Sequence, residues 1–137
     1  IEDGNVFLYD EIDSSATIMR ADKTFGFSFM KFNADLTEFN KTALAEIERI
    51  QSTSGLFTRE FPENLIHFSA IPWINFTSLT HSRSFTLPDS CPKISFGKMT
   101  TENNKKTMSL AVLAHHGLVD GYHMGMFVEA LQNEFNK

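Results

Sequence analysis

The sequence predicts an α+β fold, with short strands on either side of a first helix and a second helix near the C-terminal end. Two observations carry this prediction. Apolar residues alternate over residues 24–33, and they recur at three- and four-residue steps over residues 35–53. The helical period returns at 122–136. The chain has 137 residues, enough for a hydrophobic core, and we expect residues 1–137 to form a single domain.

Three strands are predicted ahead of the first helix. The segment "NVFLYDEI" at 5–12 follows an Asp-Gly turn signal, and "ATIMRA" at 16–21 and "TFGFSFMKFN" at 24–33 come next. Side chains two residues apart lie on the same face of a strand. Phe25 and Phe27 therefore belong to one strongly apolar face.

The first helix is predicted from Asp35 to Thr53. Its apolar residues form one stripe, made of Leu36, Phe39, Ala43, Leu44, Ile47 and Ile50. Asn33 or Asp35 can cap the helix, because a side-chain oxygen there can accept hydrogen bonds from unpaired N–H groups. Ser54 and Gly55 provide a stop signal.

Further strand signals follow the first helix. The run "LIHFSAIPWINFTSL" at 65–79 is interrupted by Pro72, so we expect a bent strand or one at a sheet edge. Residues 84–92 are typical of a loop.

A hairpin and a helix complete the chain. Strands at 93–102 and 105–116 flank Asn103 and Asn104, which is a hairpin signature. The helix at 122–136 has an apolar side made of Phe127, Ala130, Leu131 and Phe135.

Composition excludes several classes of protein. The net charge of −5 gives no basic surface for nucleic acid or for anionic lipid, so neither is an expected partner. The single Cys91 excludes an internal disulfide framework and a cysteine-rich zinc site. No segment resembles a signal peptide or a membrane span, which makes the cytoplasm the expected location. Because the chain starts at Ile1 in a strand-like run, we expect a protein that lacks its N-terminal part.

The segment "HHGLVDG" carries the candidate chemistry. Imidazole titrates near neutral pH, so His115 or His116 can act as a base, although either can equally be a strand-end histidine with satisfied hydrogen bonds. Neighbours on a strand point to opposite faces, so the two rings should not share one cavity. Asp120 is either functional or the N-cap of the last helix. A metal site formed by His116, Asp120 and His123 matches no known ligand spacing.

A Ser-His-Asp hydrolase is a further alternative for these residues. The sequence lacks the G-x-S-x-G nucleophile motif of the common hydrolase fold. Asp120 also lies only four residues beyond His116, and a tight turn need not bring its carboxylate to the imidazole.

At this point the residues resemble a known family. "HHGLVDG" fits the H-H-x-x-x-D-G signature of coenzyme A-dependent acyltransferases, and "TFGFSF" at 24–29 and "FPENLIHFSAIPWINFTSL" at 61–79 narrow the likeness to the chloramphenicol acetyltransferase family. The separation of Ser69 from His116 also matches without a gap. The resemblance implies a mixed or antiparallel sheet covered by helices.

The resemblance also implies catalytic roles. His116 is expected to be the general base that takes the proton of an acceptor hydroxyl, and Ser69 the hydroxyl that stabilises the oxyanion. Ser95 stands where the family often has a threonine that assists through a water molecule. Asp120 is implied to be structural. Its family partner is an arginine that this sequence lacks at any matching position, so we expect a carboxylate without its partner.

The substrate- and cofactor-binding residues implied by the resemblance are Phe25 and Phe27 at the acceptor, Trp73 near the coenzyme channel, and Lys98. Core packing is the alternative for Phe25, Phe27 and Trp73. Acetyl-coenzyme A is expected as a co-substrate, with no tightly bound cofactor and no metal. A homotrimer with its active site at the subunit interface is implied.

Three pocket positions depart from the family pattern. They are His67, where an asparagine is common, Leu79, where an aromatic residue is common, and Met99, where a tyrosine is common. These changes concern the acceptor more than the reaction.

The predicted function is O-acetyl transfer from acetyl-coenzyme A to chloramphenicol or a similar small-molecule hydroxyl. Two alternatives remain. One is an inactive truncated fragment, and the other is an acyltransferase of the dihydrolipoamide type with a different acceptor.

Overall fold

A computed structural model describes residue 1, residues 3–81 and residues 90–137 of the chain. The strands and helices within these ranges are β1 (Asp13–Met19), β2 (Phe25–Phe27), α1 (Leu36–Ser52), β3 (Leu65–Ala70), β4 (Lys93–Glu102), β5 (Lys105–Leu113) and α2 (Gly121–Phe135). The predicted α+β order is confirmed, and the predicted hairpin and both predicted helices are present.

The described strands form one mixed sheet in the order β2-β1-β3-β4-β5. Its central strand β3 is parallel to both neighbours, β1 and β4, while the outer pairs β1–β2 and β4–β5 are antiparallel. The register of β3 with β4 pairs Ser69 with Ser95. Two predicted site residues on separate strands are therefore side by side in the centre of the sheet.

The predicted strand at 5–12 is wrong. Apart from an isolated bridge at Asn5, this segment is irregular, and Leu8 is 95% exposed. The third predicted strand is shorter than expected: β2 covers three residues, and Met30 adds one bridge to Ser14. A strand needs a neighbouring strand edge, and alternation of side chains does not provide one.

The predicted strand at 65–79 is also too long. β3 ends at Ala70, two residues before Pro72, because proline has no N–H to donate to a neighbouring strand. Of the two predicted alternatives, a bent strand or one at a sheet edge, the edge position is wrong, since β3 is central; the chain turns at residues 72–73. Most of the predicted loop at 84–92 lies outside the described residues.

The hairpin confirms its sequence signature. Asn103 and Asn104 adopt φ values of 49° and 62°, the left-handed geometry of a two-residue turn that matches strand twist. β5 ends at Leu113, however, and the predicted strand runs to residue 116. His115 and His116 therefore lie in the turn that follows the strand, and strand alternation does not govern their directions.

Asp35 is the N-cap of α1, which confirms one of the two predicted alternatives, Asn33 or Asp35. Its carboxylate accepts hydrogen bonds from the backbone N–H of Thr37 and Glu38, at 2.8 and 3.4 Å. The helix packs against β1 and β2 and buries Ala43 and Ile50. The predicted apolar stripe is therefore only partly covered.

Arg20, just beyond β1, links the end of α1 to the start of β2. The residue is only 6% exposed, and its guanidinium donates to the carbonyls of Ile50, Phe25 and Gly55 at 2.8, 2.7 and 2.8 Å. A side chain on Gly26 would collide with the guanidinium. The end of α1 and the start of β2 are thus held by one buried cation.

α2 differs from α1 in its surroundings. None of its residues is buried, and no other helix or strand of the described chain approaches it closely. In the part of the chain that the structure covers, neither helix is long and apolar enough to cross a bilayer.

Candidate active site

A cavity of about 590 Å³ lies against the centre of the sheet, between β1, β2, β3 and β4 and the segment that follows α1. Its apolar wall is formed by Phe25, Phe27, Phe57, Phe61 and Phe68. The rings of Phe27 and Phe57 are 5.3 Å apart between centroids, and those of Phe57 and Phe61 are 6.2 Å apart. Such a wall suits a flat, apolar ligand group.

Phe25 and Phe27 share this cavity because they are two residues apart on β2. Phe25 is 47% exposed and Phe27 is half-buried, so neither is an ordinary core residue. Between them lies Gly26, which Arg20 contacts closely. Both rings line the cavity, and Phe27 also packs against Phe57.

Ser69 and Ser95 are hydrogen-bonded at the same cavity. Their Oγ atoms are 2.7 Å apart, and the register between β3 and β4 places the two residues side by side. Ser95 is fully buried, and its hydroxyl also lies 2.9 Å from Nε2 of His81. The sequence missed His81, which follows the run of residues 65–79 and belongs to no periodic pattern. A hydroxyl chain in an apolar cavity can donate a hydrogen bond to a developing negative charge.

Ser15 contributes a further polar group. Its hydroxyl is buried at this cavity, and it has no hydrogen-bond partner among the described residues. Glu63, His67, Cys91 and Lys93 also line the cavity. Among these four, the sequence analysis named His67 as a departure from the family pattern and Cys91 only as the single cysteine.

His116 does not line this cavity. The residue is exposed in the turn between β5 and α2, and its Nδ1 lies 3.3 Å from the carbonyl oxygen of Val119. Because a carbonyl only accepts, Nδ1 must carry the proton in this hydrogen bond. The neutral ring then has its lone pair on Nε2, which is the form that a general base requires.

His115 has the opposite arrangement. Its Nδ1 accepts a hydrogen bond from the backbone N–H of Gly117 at 3.2 Å, so a neutral ring carries its proton on Nε2. The two adjacent histidines are therefore distinguished by their hydrogen bonds, and His115 braces the turn. Within residues 3–81 and 90–137, no three potential ligands are grouped so that they could hold a metal ion.

Asp120 is the N-cap of α2. Its carboxylate accepts from the backbone N–H of His123 at 3.0 Å and contacts Nδ1 of the same histidine at 2.7 Å. The backbone hydrogen bond, followed by the side-chain one, lowers the pKa of Asp120 below its ordinary value. The side chain is 61% exposed and is paired with His123, and the missing arginine partner stays a prediction.

Trp73 and Lys98 lie outside the cavity, on neighbouring surface segments. Trp73 is 67% exposed, which rules out the alternative of core packing. The backbone N–H of Lys98 donates to the carbonyl of Ile74 at 2.8 Å, so the segment after β3 runs along β4. A Cβ on the buried Gly97 would lie 3.0 Å from that same carbonyl, so a glycine permits this close approach.

The fold belongs to the class of acyltransferase cores. A solved dihydrolipoamide acetyltransferase from Azotobacter vinelandii matches 95% of this chain and 56% of its own, with a TM-score of 0.65 and 13% identity. A truncated catalytic core of a 2-oxoacid dehydrogenase complex from Thermoplasma acidophilum matches with a TM-score of 0.70 and 16% identity, over 96% of this chain and 60% of its own. At these identities the likeness concerns the fold alone.

Within that class, the chain belongs to the chloramphenicol acetyltransferase family, whose model matches residues 1–132. A solved chloramphenicol acetyltransferase has a TM-score of 0.85 and 27% identity, over 96% of this chain and 65% of its own. The resemblance seen in the sequence is thereby confirmed.

Curated relatives agree with this assignment. A chloramphenicol acetyltransferase from Bacillus pumilus is 33% identical over 90% of this chain and 57% of its own. Chloramphenicol acetyltransferase 3 from Escherichia coli is 29% identical over 99% of this chain and 65% of its own. The chain therefore spans about three fifths of the length of these relatives.

Proposed function

We propose that the protein is an acetyl-coenzyme A-dependent O-acetyltransferase that acetylates a hydroxyl of chloramphenicol or a similar small molecule. The observation that carries the proposal is the hydrogen-bonded pair of Ser69 and Ser95 at an aromatic cavity. The aromatic wall suits the ring of such an acceptor, and the buried hydroxyl of Ser15 offers it a hydrogen bond.

The reaction follows from the chemistry of two side chains. Nε2 of His116 takes the proton of the acceptor hydroxyl while the acceptor oxygen attacks the thioester carbonyl carbon. The tetrahedral intermediate carries a negative oxygen, to which the Ser69 hydroxyl donates a hydrogen bond. The carbon–sulfur bond then breaks, and the coenzyme A thiolate receives the proton from His116.

Typical magnitudes indicate what each residue contributes. General-base assistance of this kind accelerates a reaction by about 10²–10⁴. A single oxyanion donor lowers the barrier by about 3–4 kcal/mol. His116 and Ser69 are thus the two residues whose loss we expect to be most damaging.

The position of His116 supports a site that is shared between copies of the chain. Its ring is exposed and does not line the cavity that contains Ser69. In a homotrimer, the turn of one copy can meet the cavity of the next, so that His116 and Ser69 of different protomers face one acceptor. We therefore include the homotrimer, with its site at the subunit interface, in the proposal.

Trp73 and Lys98 are proposed to bind coenzyme A. An exposed indole offers a flat face for a heterocycle, and the exposed ammonium group of Lys98, on the neighbouring strand β4, suits a phosphate. The coenzyme acts as a co-substrate and leaves after each turnover, so no tightly bound cofactor is invoked.

The test is the release of free coenzyme A when the chain is mixed with acetyl-coenzyme A and chloramphenicol. We expect turnover by the parent protein and a loss of at least about 10²-fold in His116→Ala. His123→Ala is the matched control, since it removes an exposed imidazole on α2 and should retain most of the activity. Full turnover by His116→Ala would contradict the assignment of the base. A parent protein that acetylates dihydrolipoamide but not chloramphenicol would contradict the acceptor.

A further inference from the structure

His81 completes a chain of three hydrogen-bonding groups at the cavity. Its Nε2 lies 2.9 Å from Oγ of Ser95, which lies 2.7 Å from Oγ of Ser69. Ser95 is fully buried, and within the described part of the chain its hydroxyl hydrogen-bonds to these two groups alone. The Ser95 hydroxyl has one hydrogen and can therefore donate a hydrogen bond to only one of its two neighbours, Ser69 or His81.

The direction of donation determines whether the Ser69 proton is available. If His81 donates from Nε2, the Ser95 oxygen accepts that hydrogen bond, and the Ser95 O–H donates a hydrogen bond to the Ser69 oxygen. The Ser69 O–H is then free to point into the cavity. If Nε2 instead accepts, Ser95 donates its hydrogen bond to His81. Ser69 must then donate its own hydrogen bond to the Ser95 oxygen. The second arrangement leaves no donor for an oxyanion.

We propose that His81 is a positioning residue that donates from Nε2 to Ser95 and thereby turns the Ser69 hydroxyl toward the oxyanion. This inference rests on the proposed acetyl transfer and adds a residue to it. His81 acts through Ser95 and Ser69 and needs no contact with the substrate. Pre-aligned donors stabilise a developing charge more than donors that must first reorient.

The kinetic test uses substitutions that differ in the reach of a donor group. His81→Gln places an amide nitrogen near the position of Nε2, whereas His81→Asn places it near Nδ1, out of reach of Ser95. We expect His81→Asn and His81→Phe to lower kcat by about tenfold with the KM for acetyl-coenzyme A unchanged, and His81→Gln to stay within about threefold of the parent. Equal losses in His81→Gln and His81→Phe would overturn the proposal.

A double-mutant cycle separates positioning from simple packing. In a Ser95→Ala background the chain is already broken, so His81→Phe should cause no further loss of kcat. If the two losses multiply instead, His81 is only a wall of the cavity, and the proposal is wrong.

A spectroscopic measurement keeps this inference separate from the proposed function. Nitrogen-15 NMR of the histidine rings, assigned by comparison with His81→Phe, reports which nitrogen carries the proton. A protonated Nε2 supports the proposed donor direction even if no acetyl transfer is found. A bare Nε2 would overturn it even in an active enzyme.

Discussion

The helices α1 and α2 have similar sequence patterns and very different surroundings. α1 buries Ile50 completely and Ala43 to 8% exposure, whereas α2 buries none of its residues. Both begin at an aspartate that accepts hydrogen bonds from the first turn. Caps and apolar period therefore predict where a helix forms, but they do not predict what covers it. The experiments below test whether stability is concentrated around α1 as this comparison implies.

The largest effect is expected at Arg20. In Arg20→Met the carbonyls of Ile50, Phe25 and Gly55 lose the hydrogen bonds from the buried guanidinium, and hydrogen bonds from a charged group contribute about 1.5–3 kcal/mol each. We expect the free energy of unfolding to fall by about 4 kcal/mol, measured by urea denaturation. Lys41→Met is the control, because its cation is on the solvent face of α1. Similar losses in both variants would show that the buried guanidinium has no special role.

A second pair of substitutions compares the helices directly. Ile50→Ala removes a side chain that is 0% exposed, and we expect a loss of about 3 kcal/mol from the lost burial and the cavity left behind. Phe135→Ala on α2 removes a ring that is 56% exposed, and a loss below about 1 kcal/mol is expected. Equal losses would mean that α2 is covered in solution, and a concentration-dependent loss would point to another copy of the chain.

The smallest effect concerns Glu46 on α1. Burial alone would raise the pKa of this carboxyl, but hydrogen bonds from Arg49 and the backbone of Phe29, with the charge of Arg59, lower it overall. A lowered folded pKa adds stability above the unfolded pKa, and that stability is lost as the pH falls through the folded pKa. The loss should therefore occur below about pH 4.3, the ordinary glutamate value.

Glu46→Gln tests this dependence. At neutral pH we expect it to be less stable than the parent by about 1–2 kcal/mol, and the difference should shrink as the pH falls below the ordinary glutamate pKa. Glu48→Gln, at an exposed position of the same helix, should show neither effect. A difference that stays constant from neutral to acidic pH would rule out the ionised carboxylate as its source.

Much of the fold follows from local patterns. The hairpin at Asn103 and Asn104 and both helices were predictable because turn geometry, caps and the 3.6-residue period act over short distances. The strand predicted at 5–12 fails because pairing depends on a distant partner. Pro72 correctly predicted a break in the strand at 65–79, but it did not predict that β3 is central in the sheet.

The candidate site shows a similar division. The family resemblance pointed to Ser69, Ser95 and the aromatic residues of β2, which the structure brings to one cavity. It gave no sign of His81, whose contact with Ser95 depends on how the segment after β3 returns over the sheet. Nor could the sequence predict that His123 pairs with Asp120, because only the geometry of the helix cap brings the two together.

The central claim is that one copy of the chain supplies His116 and another supplies Ser69. It is tested most directly by mixing His116→Ala and Ser69→Ala chains, each inactive alone, and measuring the release of coenzyme A by the doubly tagged mixed oligomers. The account predicts recovery of about a third of the parent turnover per site, because a cyclic trimer that contains both variants has one interface in three where an intact His116 meets an intact Ser69. Mixed oligomers that form but release no coenzyme A would contradict the claim of a shared site.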